Sequence, residues 1–245
     1  MFASVFFSAY SHSDFFGKLI LFSLVSLSVI SWVVLVCKMK QTKRVKAVST
    51  SFEKAFGPNI SKLLALSVED LPAPARKETP HPFGSIFLSL KQKTLDILNK
   101  NHFFAAQEKN DLDKSQVYLS QIDLEIIESH VLTTISSENK QLERHLFILS
   151  TTVTLAPFIG LLGTVWGILI TFSELQTGAS LTSSNAVLGG LATALVSTVL
   201  GLVIAIPALI AYNYLKNSLK HYSSDMEDFL YRLLSTIELQ YRKPS

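Results

Sequence analysis

The residues of this chain with types and spacing suited to chemistry are threonines set among glycines and alanines in long apolar runs. Gly160, Thr164, Gly167 and Thr171 follow one another at steps of four, three and four, with Gly163 beside them. A longer series, Gly190, Ala194, Thr198, Gly201, Ala205 and Ala208, repeats the pattern downstream. Steps of three and four put such residues on one face of a helix. Two uses fit. Small residues let helix backbones approach closely, while hydroxyls inside a membrane either line a hydrated path or bond back to a carbonyl one turn away. Spacing alone assigns the stripes to helix packing. Depth brings in the second use: Thr164 lies nine residues before Ser173 and Thr198 twelve after Ala186, or ~14 and ~18 Å at the helical rise. Both values fall near the middle of a ~30 Å hydrocarbon core.

The elements that must hold these residues are apolar spans. Hydrophobic residues make up 48% of the 245 and charged ones only 17%. They are segregated: 19 residues between Lys18 and Lys38, 29 between Arg144 and Glu174, and 41 between Glu174 and Lys216 carry no acidic residue, Lys or Arg. Each stretch can hold the ~20 residues a transmembrane helix needs. No carboxylate, histidine or lysine lies deep in any of them; a lone charge at a helix centre costs about 2.5–3.5 kcal/mol on insertion scales. A proton path here would therefore need its protonatable group from another chain. Pro157 and Pro207 each free a carbonyl inside a span, which predicts local bends and polar or protein-lined surroundings.

Basic residues set the orientation. Lys38, Lys40, Lys43, Arg44 and Lys46 follow the first span directly, and Lys216 and Lys220 follow the third, whereas 174–186 holds no Lys or Arg. The positive-inside rule then places the N-terminus outside and both basic flanks in the cytoplasm. The reading is an all-α integral membrane protein of three transmembrane helices that continue into a cytoplasmic helical bundle. Its segments are an extracytoplasmic 1–18, a span at 19–37, a cytoplasmic domain at 38–144, a span at 147–173, a periplasmic loop at 174–186, a span at 187–213, and a cytoplasmic helix at 214–245. The first span starts after Asp14 and lacks a small-x-small cleavage pattern, so a retained anchor is expected rather than a signal peptide.

Within the cytoplasmic domain, 45–66 reads as an amphipathic helix interrupted at Gly57-Pro58. Pro72, Pro74, Pro80 and Pro82, ended by Gly84, mark a linker over 70–84. No Gly or Pro follows until Pro157, which predicts two long helices joined at Asn110-Asp111-Leu112-Asp113, with Asp113 and Gln116 as a capping box. The second of them is expected to run unbroken from Ser115 to Ser173, because Leu124, Ile127, Val131, Ile135, Leu142, Leu146 and Leu149 recur at helical spacing, interrupted only at Glu138 and Asn139. Leu215, Leu219, Tyr222, Met226, Phe229 and Leu233 form a similar seam in the tail.

The stretch Thr154-Leu-Ala-Pro-Phe-Ile-Gly-Leu-Leu-Gly-Thr-Val-Trp-Gly-Ile168 resembles the signature of the TolQ/ExbB family, a relative of the flagellar stator protein MotA. Ser197-Thr-Val-Leu-Gly-Leu-Val-Ile-Ala-Ile-Pro-Ala208, Ala211-Tyr-Asn213 and Leu142-Glu-Arg-His145 match the family's third span and the approach to its second. The resemblance covers roughly 138–213. It implies a bacterial inner-membrane, proton-motive-force-driven motor subunit. In that family copies of the chain form a homo-oligomer, a pentamer, around the single-span helices of a TolR/ExbD-type partner. That partner's membrane aspartate takes the proton, and a TolA/TonB-type protein is a further partner. Thr164 and Thr198 match the family's pore-lining threonines. Where the family commonly has a glutamate five residues before the second threonine, this chain has Thr193, so the proton route relies on the partner carboxylate and water.

Two alternatives stand beside this reading. A passive membrane scaffold would use the glycine stripes only for packing; a divergent flagellar-stator-like subunit would commonly have four spans rather than three. Enzymatic function is not expected: His12, His81, His102, His130, His145 and His221 are dispersed, without metal-ligand spacing, and no phosphate-cradling loop occurs. Protons are the expected coupling ion, with no cofactor and no metal. Cys37 alone excludes an intrachain disulfide. A net charge of +3, scattered or beside apolar spans, gives no stripe for nucleic acid, and lipid is the expected surroundings.

Overall fold

A computed structural model describes residues 14–56, 81–107, 118–176 and 184–241, together with Tyr10 and Leu64. Five helices make up the described chain: α1 (Phe15–Phe56), α2 (Pro82–Gln107), α3 (Gln121–Glu143), α4 (Leu146–Gln176) and α5 (Ser184–Tyr241). The fold is all-α. Three of the helices, α1, α4 and α5, are long and apolar enough to cross a membrane, as the charge-free stretches require.

Asp14 starts α1: its Oδ1 accepts the Gly17 amide at 3.1 Å, satisfying one of the helix's free donors. The helix then runs 42 residues without a break. The first span and the helix expected at 45–66 are thus one element up to Phe56, which ends immediately before Gly57-Pro58; the remainder of that expected helix lies outside the described residues. Pro82 is the first residue of α2, where its missing N–H costs nothing because that donor is free in any helix. Pro82, Phe83 and Gly84 therefore belong to a helix, correcting the expected end of the linker; 70–80 lies outside the described residues.

The start of α3 also differs from expectation. The Asn110–Asp113 turn and the Asp113–Gln116 pair lie outside the described residues, but Tyr118–Ser120 is non-helical and the helix opens at Gln121. Ser120 Oγ accepts the Asp123 amide at 3.2 Å and Asp123 Oδ2 accepts the Ser120 amide at 2.9 Å, a capping box whose first residue stands five beyond Ser115. Burial alone would raise the Asp123 pKa; hydrogen bonds from Ser120 and Asn101 and the charge of Lys100 outweigh it and hold the carboxyl below its usual range.

The expected unbroken helix from Ser115 to Ser173 is two helices. Arg144 takes φ −51°, ψ 132°, and His145 takes φ 71°, a left-handed conformation that non-glycine residues seldom adopt. The His145 carbonyl then accepts the Ile148 amide at 3.2 Å as α4 begins. Beyond this break, α4 and α5 continue through Pro157 and Pro207 as single helices.

The chain divides into two compact units, 1–38 with 145–216 and 39–144 with 217–245, and this break is one of the three points where it passes from one to the other. The second unit is a helical bundle. Leu124, Ile127, Val131, Ile135 and Leu142 of α3 are buried, as are Leu219, Tyr222, Met226, Phe229 and Leu233 of α5, so both periodic seams face a core. Where polar Asn139 interrupts the α3 seam, its amide donates to Ser223 Oγ at 2.7 Å. Ser89 and Thr134 hydroxyls link α2 to α3 at 2.9 Å, and Ser49 bonds the Tyr222 hydroxyl. Aromatic packing of Phe52, Phe83, Phe87 and Phe229 fills the centre.

His81, which precedes Pro82, stands edge-on to Phe52 at 4.8 Å. Neither ring nitrogen has a hydrogen-bond partner among the described residues. Burial lowers its pKa from the ordinary 6.5, so the unfolded chain accepts a proton more readily than the folded bundle. Stability is therefore full above the ordinary value and falls as pH drops through it, levelling off below the folded value. Lowering pH from about 7.5 to about 5.5 should weaken amide-exchange protection in the first turns of α2. His81→Phe, compared with the parent at each pH, should remove that difference.

Candidate functional site

The first unit holds α4 and the apolar parts of α1 and α5, and its small residues are where backbones touch. On α4, a Cβ added at Gly160 would stand 2.8 Å from the Ser197 carbonyl oxygen and 3.0 Å from the Thr198 Cα. A Cβ at Gly201 of α5 would stand 2.5 Å from the Ala156 carbonyl oxygen, and one at Gly167 would stand 2.7 Å from the Ala194 Cβ. Ala156, Ala194 and Ala205 are all buried. The α4–α5 seam is therefore a backbone-to-backbone contact through Gly160, Gly167, Ala194 and Gly201. Close approach of this kind maximises dispersion contacts where lipid gives no hydrophobic drive.

Helix α1 closes a third side. Its Ile20 and Leu24 form one buried cluster with Ala156 and Ala205, flanked by Phe16, Ile159, Trp166, Leu200 and Ile204. Gly163 faces this junction, since a Cβ there would lie 3.2 Å from Ile20 Cγ2. Phe16 packs on Trp166 with ring centroids 4.4 Å apart. The Trp166 indole donates to Asp14 Oδ2 at 3.0 Å. In the sequence Asp14 marks only where the first span starts; its pairing with a tryptophan in another span is one that spacing within one helix does not reveal.

The threonines differ in where their hydroxyls bond. Thr171 donates to the Gly167 carbonyl one turn back at 2.8 Å, and Thr164 to the Leu161 carbonyl at 2.7 Å. Thr198 crosses the seam instead. Its Oγ1 lies 3.0 Å from the Gly160 carbonyl oxygen and 3.4 Å from Thr164 Oγ1. The structure thus brings Thr164 and Thr198 together across two helices, with Thr164 buried and Thr198 half-buried. Around the pair, Leu161, Val165, Leu195 and Val199 are exposed on the chain's own surface. Gly190 and Thr193 fall within the helical range of α5, but their side-chain surroundings lie outside the described residues.

Chemically the pair offers oxygen acceptors and hydroxyl protons and no charge. A threonine hydroxyl does not ionise near neutral pH, so it can accept from, or donate to, an acid group brought beside it but cannot store the proton. No cluster of metal-ligating side chains occurs among the described residues.

Comparisons with known proteins bear on this pair. Residues 99–228 match the model of the MotA/TolQ/ExbB proton channel family, a wider stretch than the 138–213 that carry the sequence resemblance. The chain is 29% identical to the Tol-Pal system protein TolQ of Pseudomonas aeruginosa over 208 residues, covering 84% of this chain and 80% of that one. It is 30% identical to the biopolymer transport protein ExbB of Xanthomonas campestris pv. campestris over 198 residues, 80% of this chain and 71% of the relative. With the ExbB of Aquifex aeolicus it shares 41% over 88 residues, 36% of this chain and 59% of the relative.

Because backbone atoms cannot move aside as a side chain can, Gly160→Ala and Gly201→Ala must push α4 and α5 apart. Each should lower the unfolding free energy of the detergent-solubilised protein by about 1–3 kcal/mol, the usual range for overpacking. Denaturant titration followed by helix content would measure it, and wild-type midpoints for both would refute the backbone contact.

Proposed function

Because this chain belongs to the MotA/TolQ/ExbB proton channel family, we propose that it is the channel-forming subunit of a proton-motive-force-driven motor in the bacterial inner membrane, energising envelope or outer-membrane transport processes. The observation that carries this is the Thr164–Thr198 pair: two hydroxyls meeting across α4 and α5 in spans with no carboxylate of their own. Such a wall suits a mobile acid supplied by a second protein. Copies of this chain, five in number, surround the single-span helices of a TolR/ExbD-type protein, whose membrane aspartate is the missing protonatable group. A TolA/TonB-type protein receives the resulting force.

Orientation follows from charge. The basic cluster after the first span and Lys216 and Lys220 after the third are held on the cytoplasmic side. Proton entry from the outer side neutralises the partner's aspartate and removes the cost of holding a charge in low dielectric. The neutral acid then passes Thr164 and Thr198, which offer it hydrogen bonds, and release to the cytoplasmic side restores its charge. Rotation or strain of the partner against the ring is the output. Thr193 stands on α5 where the family commonly carries a glutamate, so in this chain the route uses the partner's carboxylate and water. No cofactor or metal enters the cycle.

Thr164→Val and Thr198→Val remove a hydroxyl and keep the branched shape. Each should abolish energised activity in cells, measured as outer-membrane integrity and as receptor-dependent uptake, while the assembled complex still purifies with its single-span partner. Normal activity in both variants would overturn the assigned role.

A further inference from the structure

Ser197 precedes Thr198 on α5 and is buried, with 4% of its surface exposed. Its Oγ lies 2.7 Å from the Ala194 carbonyl oxygen in its own helix and 3.0 Å from the Gly160 carbonyl oxygen in α4. The second contact matters because Gly160 is also the acceptor for Thr198 Oγ1 at 3.0 Å. Two successive side chains of α5 therefore reach one oxygen of α4. Successive residues project about 100° apart around a helix, so the two hydroxyls straddle that carbonyl. Turning α5 about its axis in either direction lengthens one of the two contacts.

Room for this arrangement comes from Gly163. A Cβ there would stand 2.7 Å from Ser197 Cβ, would clash with Ser197 Oγ, and would lie 3.2 Å from Ile20 Cγ2 of α1. Glycine at 163 is thus a socket for the serine, closed on its far side by the first span. Ser197 has one hydroxyl proton for two carbonyl acceptors, so it is shared between Ala194 of its own helix and Gly160 across the seam; alanine would lose both contacts and leave the Oγ volume empty.

We propose that Ser197, seated against Gly163, is a positioning residue that sets the rotation of α5 and so presents the Thr198 hydroxyl beside Thr164. Its consequence for proton movement rests on the function proposed above, but its effect on helix register does not.

A disulfide reporter reads that register. In the full-length chain with Cys37→Ala, Thr164→Cys and Thr198→Cys are introduced, and a protease site is inserted after Gln176. The two halves then stay together on a non-reducing gel only when the cysteines have joined. With Thr198 replaced, the Ser197 oxygen is the remaining tie to Gly160. Adding Ser197→Ala should slow cross-linking about five-fold, the weight of one buried hydrogen bond. Gly163→Ala, which keeps the serine but fills its socket, should do the same. In the chain with both threonines intact, Ser197→Ala should also reduce outer-membrane integrity at unchanged protein level. Unchanged cross-linking in either variant would overturn the proposal. Slower cross-linking alongside full activity of Thr164→Val and Thr198→Val would uphold the register role and remove only the functional reading.

Discussion

Contact between the backbones of α4 and α5 is the constraint from which the rest of the membrane unit follows. Gly160 and Gly201 leave no space for even a methyl group, and Ala156 and Ala194 fill what remains. At that separation a side-chain hydroxyl on one helix can reach a main-chain carbonyl on the other, as Thr198 does at Gly160. Larger residues in the seam would move the helices apart and put the carbonyl beyond reach. Packing and hydrogen bonding across the seam are therefore one arrangement: the stripes that spacing assigns to packing are also what allows two threonines to meet.

Electrostatics explains what the seam lacks. An ionised group deep in a span is expensive, and such groups persist where function compels them. This chain keeps none in its apolar stretches. In the function proposed above, hydroxyls that carry no charge would leave the cost of ionisation to the chain that brings the acid, and a neutral wall would let that acid, once protonated, move along it without leaving an opposite charge behind. Asp14 is different: it precedes the charge-free stretch of the first span, starts α1, and accepts from the Trp166 indole, so it ties the first span to the second.

Much of this architecture was legible in the sequence because apolar periodicity reports burial directly. The charge-free stretches are the long apolar helices, and the seams through Leu124–Leu142 and Leu219–Leu233 are buried. Glycine and alanine spacing marked the residues that touch. Other features left no local signal. The break at Arg144-His145 uses a left-handed histidine, where glycine or asparagine is the usual marker, so an uninterrupted apolar stripe concealed it. Pro82 read as linker because proline ends helices, yet it begins one as readily. Periodicity places residues on a face but says nothing about how one helix is rotated against another. For that reason Thr164 and Thr198 were visible as candidates while the Thr198 and Ser197 contacts to the Gly160 carbonyl were not.

The central claim is that the paired hydroxyls of α4 and α5 form a wall against which another chain's acid group is protonated and released. An experimental structure of the native complex in a lipid bilayer tests it most directly. It should show Thr164 and Thr198 facing a central cavity that holds a foreign helix, with an acidic side chain at their level. Threonines turned toward lipid, or a ring whose centre has no room for another helix, would contradict it.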